Sequence, residues 1–165
     1  MGPGRLAAMA GQALTHLGIQ RVASVVVVIA CLARFVALEY SPPGFYVDEA
    51  MGATHILCLA EQGTGADGVS FPLFFRTASY SYPPFVHFSA GWVKVFGDSI
   101  YSLRAVAAFF NLLTLLGLYL VGRLFLDETG ALLIALAGAV SPWAFQFARI
   151  AWDPAVAPCG AAISS

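Results

Sequence analysis

The chain alternates between long apolar runs and one longer, more polar segment. A helix that crosses a bilayer needs about 20 mainly apolar residues. Runs near that length lie at 22–38, 102–124 and 129–148, and most of the prolines and acidic residues fall between the first two. This pattern predicts an all-α polytopic membrane protein with transmembrane helices at 22–39, 102–124 and 129–148.

The connections between these runs predict the topology. The turn at 125–128 is short, so the second and third spans are expected to be antiparallel. An amino terminus inside the cell places Arg5, Arg21 and Arg123 on the cytoplasmic side, as the positive-inside rule favours. We therefore expect a cytoplasmic tail at 1–21, an external loop at 40–101, a cytoplasmic turn at 125–128 and an external segment at 149–165. That last segment is expected to begin a truncated fourth helix.

Arg34 interrupts the first apolar run. At the centre of a membrane helix an arginine costs about 2.5–3.5 kcal/mol on insertion scales. Because Arg34 lies near one end of the run, we expect its side chain to extend outward to the headgroups. A cleaved signal peptide ending at Cys31 is the competing interpretation, but apolar sequence continues past Cys31 to Leu38, which favours an uncleaved anchor.

Two short helices are predicted within the external loop, at about 48–61 and 84–96. Asp48 is placed to cap the first, Glu49 lies in its first turn, and the glycines after Gln62 end it. The second is too short to span a bilayer. Its Trp92 and Lys94, among apolar neighbours, are typical of a helix that lies in the membrane interface.

Composition and charge restrict the class of protein. Hydrophobic residues make up 59% of the chain and charged residues 10%, with a mean hydropathy of +0.80. Soluble domains carry roughly 25% charged residues, so the composition favours a membrane protein. The net charge is −1 and no cluster of Lys and Arg occurs, which gives no reason to expect a nucleic-acid partner.

The cysteines predict neither a disulfide framework nor a metal site. Cys31, Cys58 and Cys159 are odd in number, far apart and without the spacing of metal ligands. We interpret them as packing residues.

Several short motifs follow one another along the chain. They are Tyr46-Val47-Asp48-Glu49-Ala50, Tyr82-Pro83-Pro84, Phe96-Gly97-Asp98-Ser99, Leu103-Arg104, Leu120-Val121-Gly122-Arg123, Ser141-Pro142-Trp143 and Phe147-Ala148-Arg149 with Asp153. Their order resembles the polyprenol-phosphate-sugar glycosyltransferases of the multi-spanning C-type fold, in the branch of the protein O-mannosyltransferases and lipid A aminoarabinose transferases. The resemblance covers about residues 22 to 158.

The chain also departs from the family pattern. The family often has a histidine before the paired prolines, where this chain has Tyr82. Complete members are several times longer, so the chain is interpreted as an amino-terminal fragment. These departures leave the sugar and the acceptor open.

The resemblance implies a reaction and a set of site residues. A sugar would pass with inversion from a polyprenyl-phosphate donor to a hydroxyl of a lipid, glycan or protein acceptor, at the external or periplasmic face of a bacterial inner or plasma membrane. By position the catalytic base falls on Asp48, with Glu49 beside it. Some relatives hold a divalent ion near this carboxylate, but His55 stands about two turns from Asp48, so we predict no obligatory metal and no other cofactor. The expected donor and phosphate ligands are Arg149, Arg104, His87, Tyr82 and Asp153.

Each of these residues also has a simpler explanation. Asp48 could be a plain helix cap and Glu49 a favourable first-turn charge, because neighbours on a helix project about 100° apart and cannot face one reacting atom. Arg149 and Arg104 could be interfacial anchors, and His87 a polar residue on an interfacial helix. Tyr82, before two prolines, could belong to an ordinary rigid turn. Asp153, four residues after Arg149, could orient that arginine or merely neutralise it.

Two other classes of function remain open. In a transporter or flippase fragment, the polar residues Asn111, Thr114 and Gln146 would line a path. The early Asp-Glu pair in a long loop argues against that alternative. A non-catalytic small membrane protein is the second.

Overall fold

A computed structural model of the chain describes residues 3–76, 80–81 and 83–152. Helices make up nearly all of the regular structure in these ranges, so the expectation of an all-α chain is confirmed apart from one very short hairpin. The helices are α1 (Pro3–Ala33), α2 (Val47–Gln62), α3 (Pro83–Phe96), α4 (Ile100–Phe125), α5 (Glu128–Val140) and α6 (Pro142–Phe147); the hairpin is β1 (Phe75–Arg76) and β2 (Tyr80–Ser81).

Two of the helices are long and apolar enough to cross a membrane. They are the stretch Leu14–Ala33 of α1 and the whole of α4, Ile100–Phe125. Side chains along the α1 stretch are largely exposed, including Val25 and Ile29. Exposed apolar side chains along a helix are typical of contact with lipid hydrocarbon, so this finding supports a membrane location.

Helix α5 packs between α1 and α4 in a three-helix bundle. Gln20 donates a 2.9 Å hydrogen bond to the Thr129 hydroxyl near one end of the bundle, and Arg34 contacts the carbonyl of Ala139 near the other. Helices α1 and α5 are therefore parallel. The alanines Ala131, Ala135 and Ala139 form a buried stripe on α5, and such small residues let helix backbones approach closely.

The first helix differs from its predicted bounds at both ends. It begins by Pro3 instead of residue 22, because the tail consists mainly of good helix formers such as alanine and leucine. It stops at Ala33 instead of 39, and the chain turns at 34–44, where Ala37 has a φ of 53° that an α-helix cannot accommodate. Residues 35–38 thus leave the helix although they are apolar.

The third predicted span, 129–148, is two helices. Proline at 142 has no N–H to continue the hydrogen-bond ladder, so α5 ends at Val140. Ser141 then caps α6 by accepting a hydrogen bond from the N–H of Ala144. Helix α5 alone has 13 residues, fewer than a full crossing needs.

Helices α2 and α3 pack on the amino-terminal half of α4 and agree with their predicted positions to within one residue. Their shared core contains Ile56 and Leu59 of α2, Val86 and Val93 of α3, and Val106 of α4. Helix α2 ends at Gly63, whose φ of 71° and N–H bond to the Leu59 carbonyl form a left-handed cap, as the glycines predicted. We call this end of the bundle, where α1 finishes and α4 starts, the loop end.

Gly122 lies where α4 and α5 approach each other closely, and its substitution tests the bundle. A Cβ at Gly122 would lie 3.0 Å from the Ala131 Cα, whereas a Cβ at Gly18 of α1 would meet nothing within 4 Å. Gly122→Leu should lower the free energy of unfolding by about 1–3 kcal/mol through overpacking. The matched control, Gly18→Leu, should cost nothing or stabilise the helix slightly. Equal thermal unfolding midpoints for the two variants in detergent, followed by circular dichroism, would contradict this packing.

Candidate functional site

Asp48 and Glu49 lie in the first turn of α2 but face opposite environments. The structure corrects the expected start of this helix: Tyr46 occupies the N-cap position with extended backbone, and Asp48 is the second helical residue instead of the cap. Asp48 is exposed, whereas Glu49 is completely buried. The divergence of the two carboxylates agrees with the 100° step of a helix.

Arg104 of α4 forms a bidentate ion pair with Glu49, and both side chains are inaccessible to solvent. Its Nε donates to Oε1 at 2.9 Å and its Nη2 to Oε2 at 2.8 Å. The remaining guanidinium donors bind backbone carbonyls of the turn after α1, those of Leu38, Pro42 and Gly44, at 2.6–2.9 Å. All five N–H groups of Arg104 are thus occupied, which is the arrangement that makes burial of a guanidinium tolerable.

Glu49 joins further parts of the chain to this pair. Its Oε2 accepts a 3.1 Å hydrogen bond from the N–H of Tyr46, which satisfies one of the free N–H groups at the start of α2. Its Oε1 accepts a 2.8 Å bond from the N–H of Ala151, beyond α6. One carboxylate therefore links α2, α4 and the segment after α6. Asp48 precedes this linked residue in the sequence.

Arg149 does not point toward open solvent. The exposed fraction of the residue is 5%, and its two Nη atoms donate to carbonyls at and just after the end of α1. The shorter of these bonds reach Ala33, Val36 and Ser41 at 2.7–3.0 Å. A cation at the carboxyl end of a helix is favoured by the helix dipole and satisfies its last carbonyls.

Arg34 is fully buried, which corrects the expectation that its side chain extends outward. Its Nε donates to the Asn111 amide oxygen at 2.6 Å, its Nη1 to Ala30 and its Nη2 to Ala139 near the end of α5. Inward burial wins over extension to the headgroups because these three acceptors are available inside the bundle. Sequence reasoning missed this role, although Asn111 in an otherwise apolar span was the available signal.

Arg34 and Arg149 share one aromatic neighbour. The Phe145 ring lies 5.5 Å from the Arg34 guanidinium carbon and 5.3 Å from that of Arg149, within the range of cation–π contacts. The pKa of Arg149 is lowered from its ordinary value, first by burial and then by the positive charge of Arg104. Within the described residues the loop end thus buries three arginines, of which Arg104 pairs with Glu49, while Arg34 and Arg149 are compensated mainly by backbone carbonyls.

His87 lies apart from this cluster, in the second turn of α3. Its Nδ1 is 2.9 Å from the Pro83 carbonyl and its ring contacts Phe75, with the ring centres 5.3 Å apart. Phe75 also packs edge-on against the buried His55, whose Nδ1 accepts a hydrogen bond from Ala66. Phe75 was not singled out from the sequence, since an aromatic in an apolar stretch carries no distinctive signal.

The structure brings together some of the predicted site residues and leaves others unassigned. Glu49, Arg104 and Arg149 meet at the loop end. Tyr82 and Asp153 lie outside the described residues, and so does Cys159; Cys31 and Cys58 are free thiols. Among the residues that the structure describes, no group of three or more His, Cys, Asp or Glu side chains could hold a metal ion.

An apolar groove of about 400 Å³ lies elsewhere in the bundle. Val27 of α1, Leu112 of α4 and Leu132 of α5 are among the residues that line it. Asp48 does not line this groove. The exposed carboxylate and the groove are therefore separate features.

The buried pair offers a test against an exposed one. Arg104→Met should destabilise the fold by about 3–5 kcal/mol, because Glu49 is left charged, buried and without its partner. Adding Glu49→Gln to Arg104→Met should lower the free energy of unfolding by less than Glu49→Gln does on its own, since the two residues are coupled. The control is Arg123→Met, which removes an exposed 3.4 Å pair with Glu128 and should cost about 0–1 kcal/mol.

Chemical unfolding in detergent, followed by circular dichroism, measures all four variants. If Arg104→Met were no more destabilising than Arg123→Met, the pair would not hold the loop end together.

Comparisons with known proteins add no family to this geometry. The chain matches no protein-family model, no curated protein and no solved structure.

Proposed function

We propose that this chain is the amino-terminal part of a multi-pass membrane glycosyltransferase that takes its sugar from a polyprenyl-phosphate donor and transfers it with inversion. The proposal rests chiefly on one observation. An exposed carboxylate, Asp48, stands in the first turn of α2 beyond the end of the first apolar helix, next to a neighbour that the fold has immobilised. The order of short motifs supports the same reaction.

Asp48 is suited to the role of general base. An exposed carboxylate is available to an acceptor hydroxyl arriving from outside the membrane, and a base must come within hydrogen-bond reach of the proton that it removes. Glu49 fixes the start of α2 to α4 and to the segment after α6. The position of Asp48 is thereby set relative to both.

The hydrogen bonds that occupy Glu49 favour a transfer with inversion. A retaining transfer needs a second carboxylate as the nucleophile, as glycoside hydrolysis shows. Both oxygens of Glu49 accept hydrogen bonds from Arg104 and from backbone N–H groups. One free carboxylate at this position suits a single displacement by the acceptor oxygen.

Arg149, one of the expected ligands, is not available to the donor phosphate. The Nη donors of Arg149 are directed at carbonyls around the end of α1, so direct contact with phosphate is not part of the proposal. His87 is half-buried, and in the described part of the chain its Nε2 makes no hydrogen bond. Its neighbour Phe88 stacks on Phe109, well inside α4, so His87 lies away from headgroup level and no phosphate contact is assigned to it.

The residues invoked for transport are engaged in packing or face outward. Asn111 accepts a hydrogen bond from Arg34, Thr114 donates to the Phe110 carbonyl, and the Gln146 side chain is exposed. The glycosyltransferase proposal is therefore preferred to the transporter.

Replacement of the proposed base tests the reaction. In the complete protein, Asp48→Asn should lower sugar transfer by at least about 100-fold, the usual contribution of a general base, while insertion and expression stay unchanged. Release of free polyprenyl phosphate from candidate polyprenyl-phosphate sugars is the measurement.

The matched control is Asp67→Asn, the same change at another exposed acid of the loop. Asparagine at this position keeps the side-chain oxygen that accepts a hydrogen bond from Val69. Transfer should be retained there. Undiminished transfer by Asp48→Asn would remove Asp48 from the mechanism.

A further inference from the structure

The segment between α2 and β1 carries an uncharged stretch at 68–75, which we call the apolar loop. No acidic or basic residue occurs in it, although Asp67 precedes it and Arg76 follows it. Four of its large side chains point outward: the exposed fraction is 71% for Phe71 and 79% for Leu73, and Val69 and Phe74 are also exposed, whereas Phe75 is buried. A contiguous exposed apolar patch of this kind typically marks an interaction site.

The apolar loop is held by its own backbone. The N–H of Phe71 donates to the Gly63 carbonyl at 3.0 Å, and the N–H of Gly65 donates to the Val69 carbonyl at 2.8 Å. Phe71 adopts a φ of 42°, an unfavourable value for a bulky residue, with its ring over the α-carbon of Gly63. The outward position of these side chains is therefore built into the fold.

The depth of α3 can be judged from its contacts with α4. The rings of Phe88 and Phe109 stack with centres 5.6 Å apart, and Phe85 and Phe88 both contact Phe110. Phe109 lies nine residues after Ile100, which is roughly 14 Å along the helix axis at 1.5 Å per residue. The amino-terminal half of α3 is therefore level with a point well inside α4.

The length of α4 gives the depth of the Phe88–Phe109 contact in the bilayer. Its 26 residues extend about 39 Å, roughly 9 Å more than a hydrocarbon core of about 30 Å. Centred in the core, α4 would project roughly 4–5 Å at each end. Even though helical side chains lean toward the amino terminus, the Phe88–Phe109 contact then falls below the hydrocarbon boundary.

The apolar loop lies at the same level as this end of α3. Phe75, at the end of the loop, packs against His87, the residue before Phe88. The charge on α3 follows the same gradient, because its amino-terminal half has no Lys, Arg, Asp or Glu and Lys94 lies near its other end. Hydrocarbon is the partner that matches a fixed, uncharged patch at this depth, since it asks for no hydrogen bond from the protein.

From this placement we infer that the apolar loop inserts into the membrane leaflet at the loop end, with Phe71 and Leu73 in contact with lipid acyl chains. The loop and the amino-terminal half of α3 together form a wedge beside α4. This inference depends on α4 spanning the bilayer and not on the proposed sugar transfer.

Site-directed spin labelling tests the insertion directly. Single cysteines are introduced as Leu73→Cys and Val69→Cys in a chain whose Cys31, Cys58 and Cys159 are replaced by alanine. The labelled full chain is reconstituted into vesicles of phosphatidylcholine and phosphatidylglycerol. Collision rates of the nitroxide with oxygen, which concentrates in hydrocarbon, and with a water-soluble nickel chelate give its depth.

Two control positions calibrate the measurement. Val25→Cys reports the exposed face of the first apolar helix, and Glu61→Cys replaces an exposed charged residue of α2. Labels at Leu73 and Val69 should be oxygen-accessible and nickel-protected, as at Val25 and unlike at Glu61.

Three results would overturn the inference. Nickel access at Leu73 and Val69 equal to that at Glu61 would place the loop in water. Protection from both reagents would mean that protein covers it instead of lipid. Nickel access at Val25 would show that the chain does not insert at all.

Discussion

The Glu49–Arg104 ion pair is the interaction on which the loop end of this molecule depends. Removing two charges from water costs several kcal/mol for each ion, and the attraction between them offsets that cost only when the remaining donors and acceptors are also satisfied. Here the pair is bidentate, the arginine also binds three carbonyls, and the glutamate also accepts two backbone N–H groups. Few alternative arrangements of α2 and α4 could satisfy all of these groups.

The other two buried arginines follow the same physical rule with a different partner. The last carbonyls of a helix have no partner within the helix, and in a dry environment they need one. Arg149 binds carbonyls around the end of α1, and Arg34 binds a carbonyl near the end of α5. Phe145 lies between the two guanidinium groups. A chain with few charges thus places two of its arginines against carbonyls near helix ends.

The proposed base and the arginines expected to bind phosphate lie in different environments. Asp48, whose carboxylate would accept the proton, is exposed, and the hydrogen bonds of Glu49 fix the backbone beside it. The arginines expected to hold phosphate are instead used to build the support for that carboxylate. A rigid support of this kind suits a general base, because catalytic groups must be held near their working geometry.

The sequence by itself determined the apolar helices, the limits of α2 and α3, and the opposite orientation of Asp48 and Glu49. These features follow from local rules: hydropathy over a helix length, a glycine that ends a helix, and the 100° step between neighbours. Only the tertiary structure decided that α1 stops at Ala33 and that Arg34 turns inward. It also decided that Arg149 binds a helix end instead of facing outward. The reason is distance along the chain, because the partners that fix these outcomes lie 55 to 116 residues away, where no local pattern can reveal them.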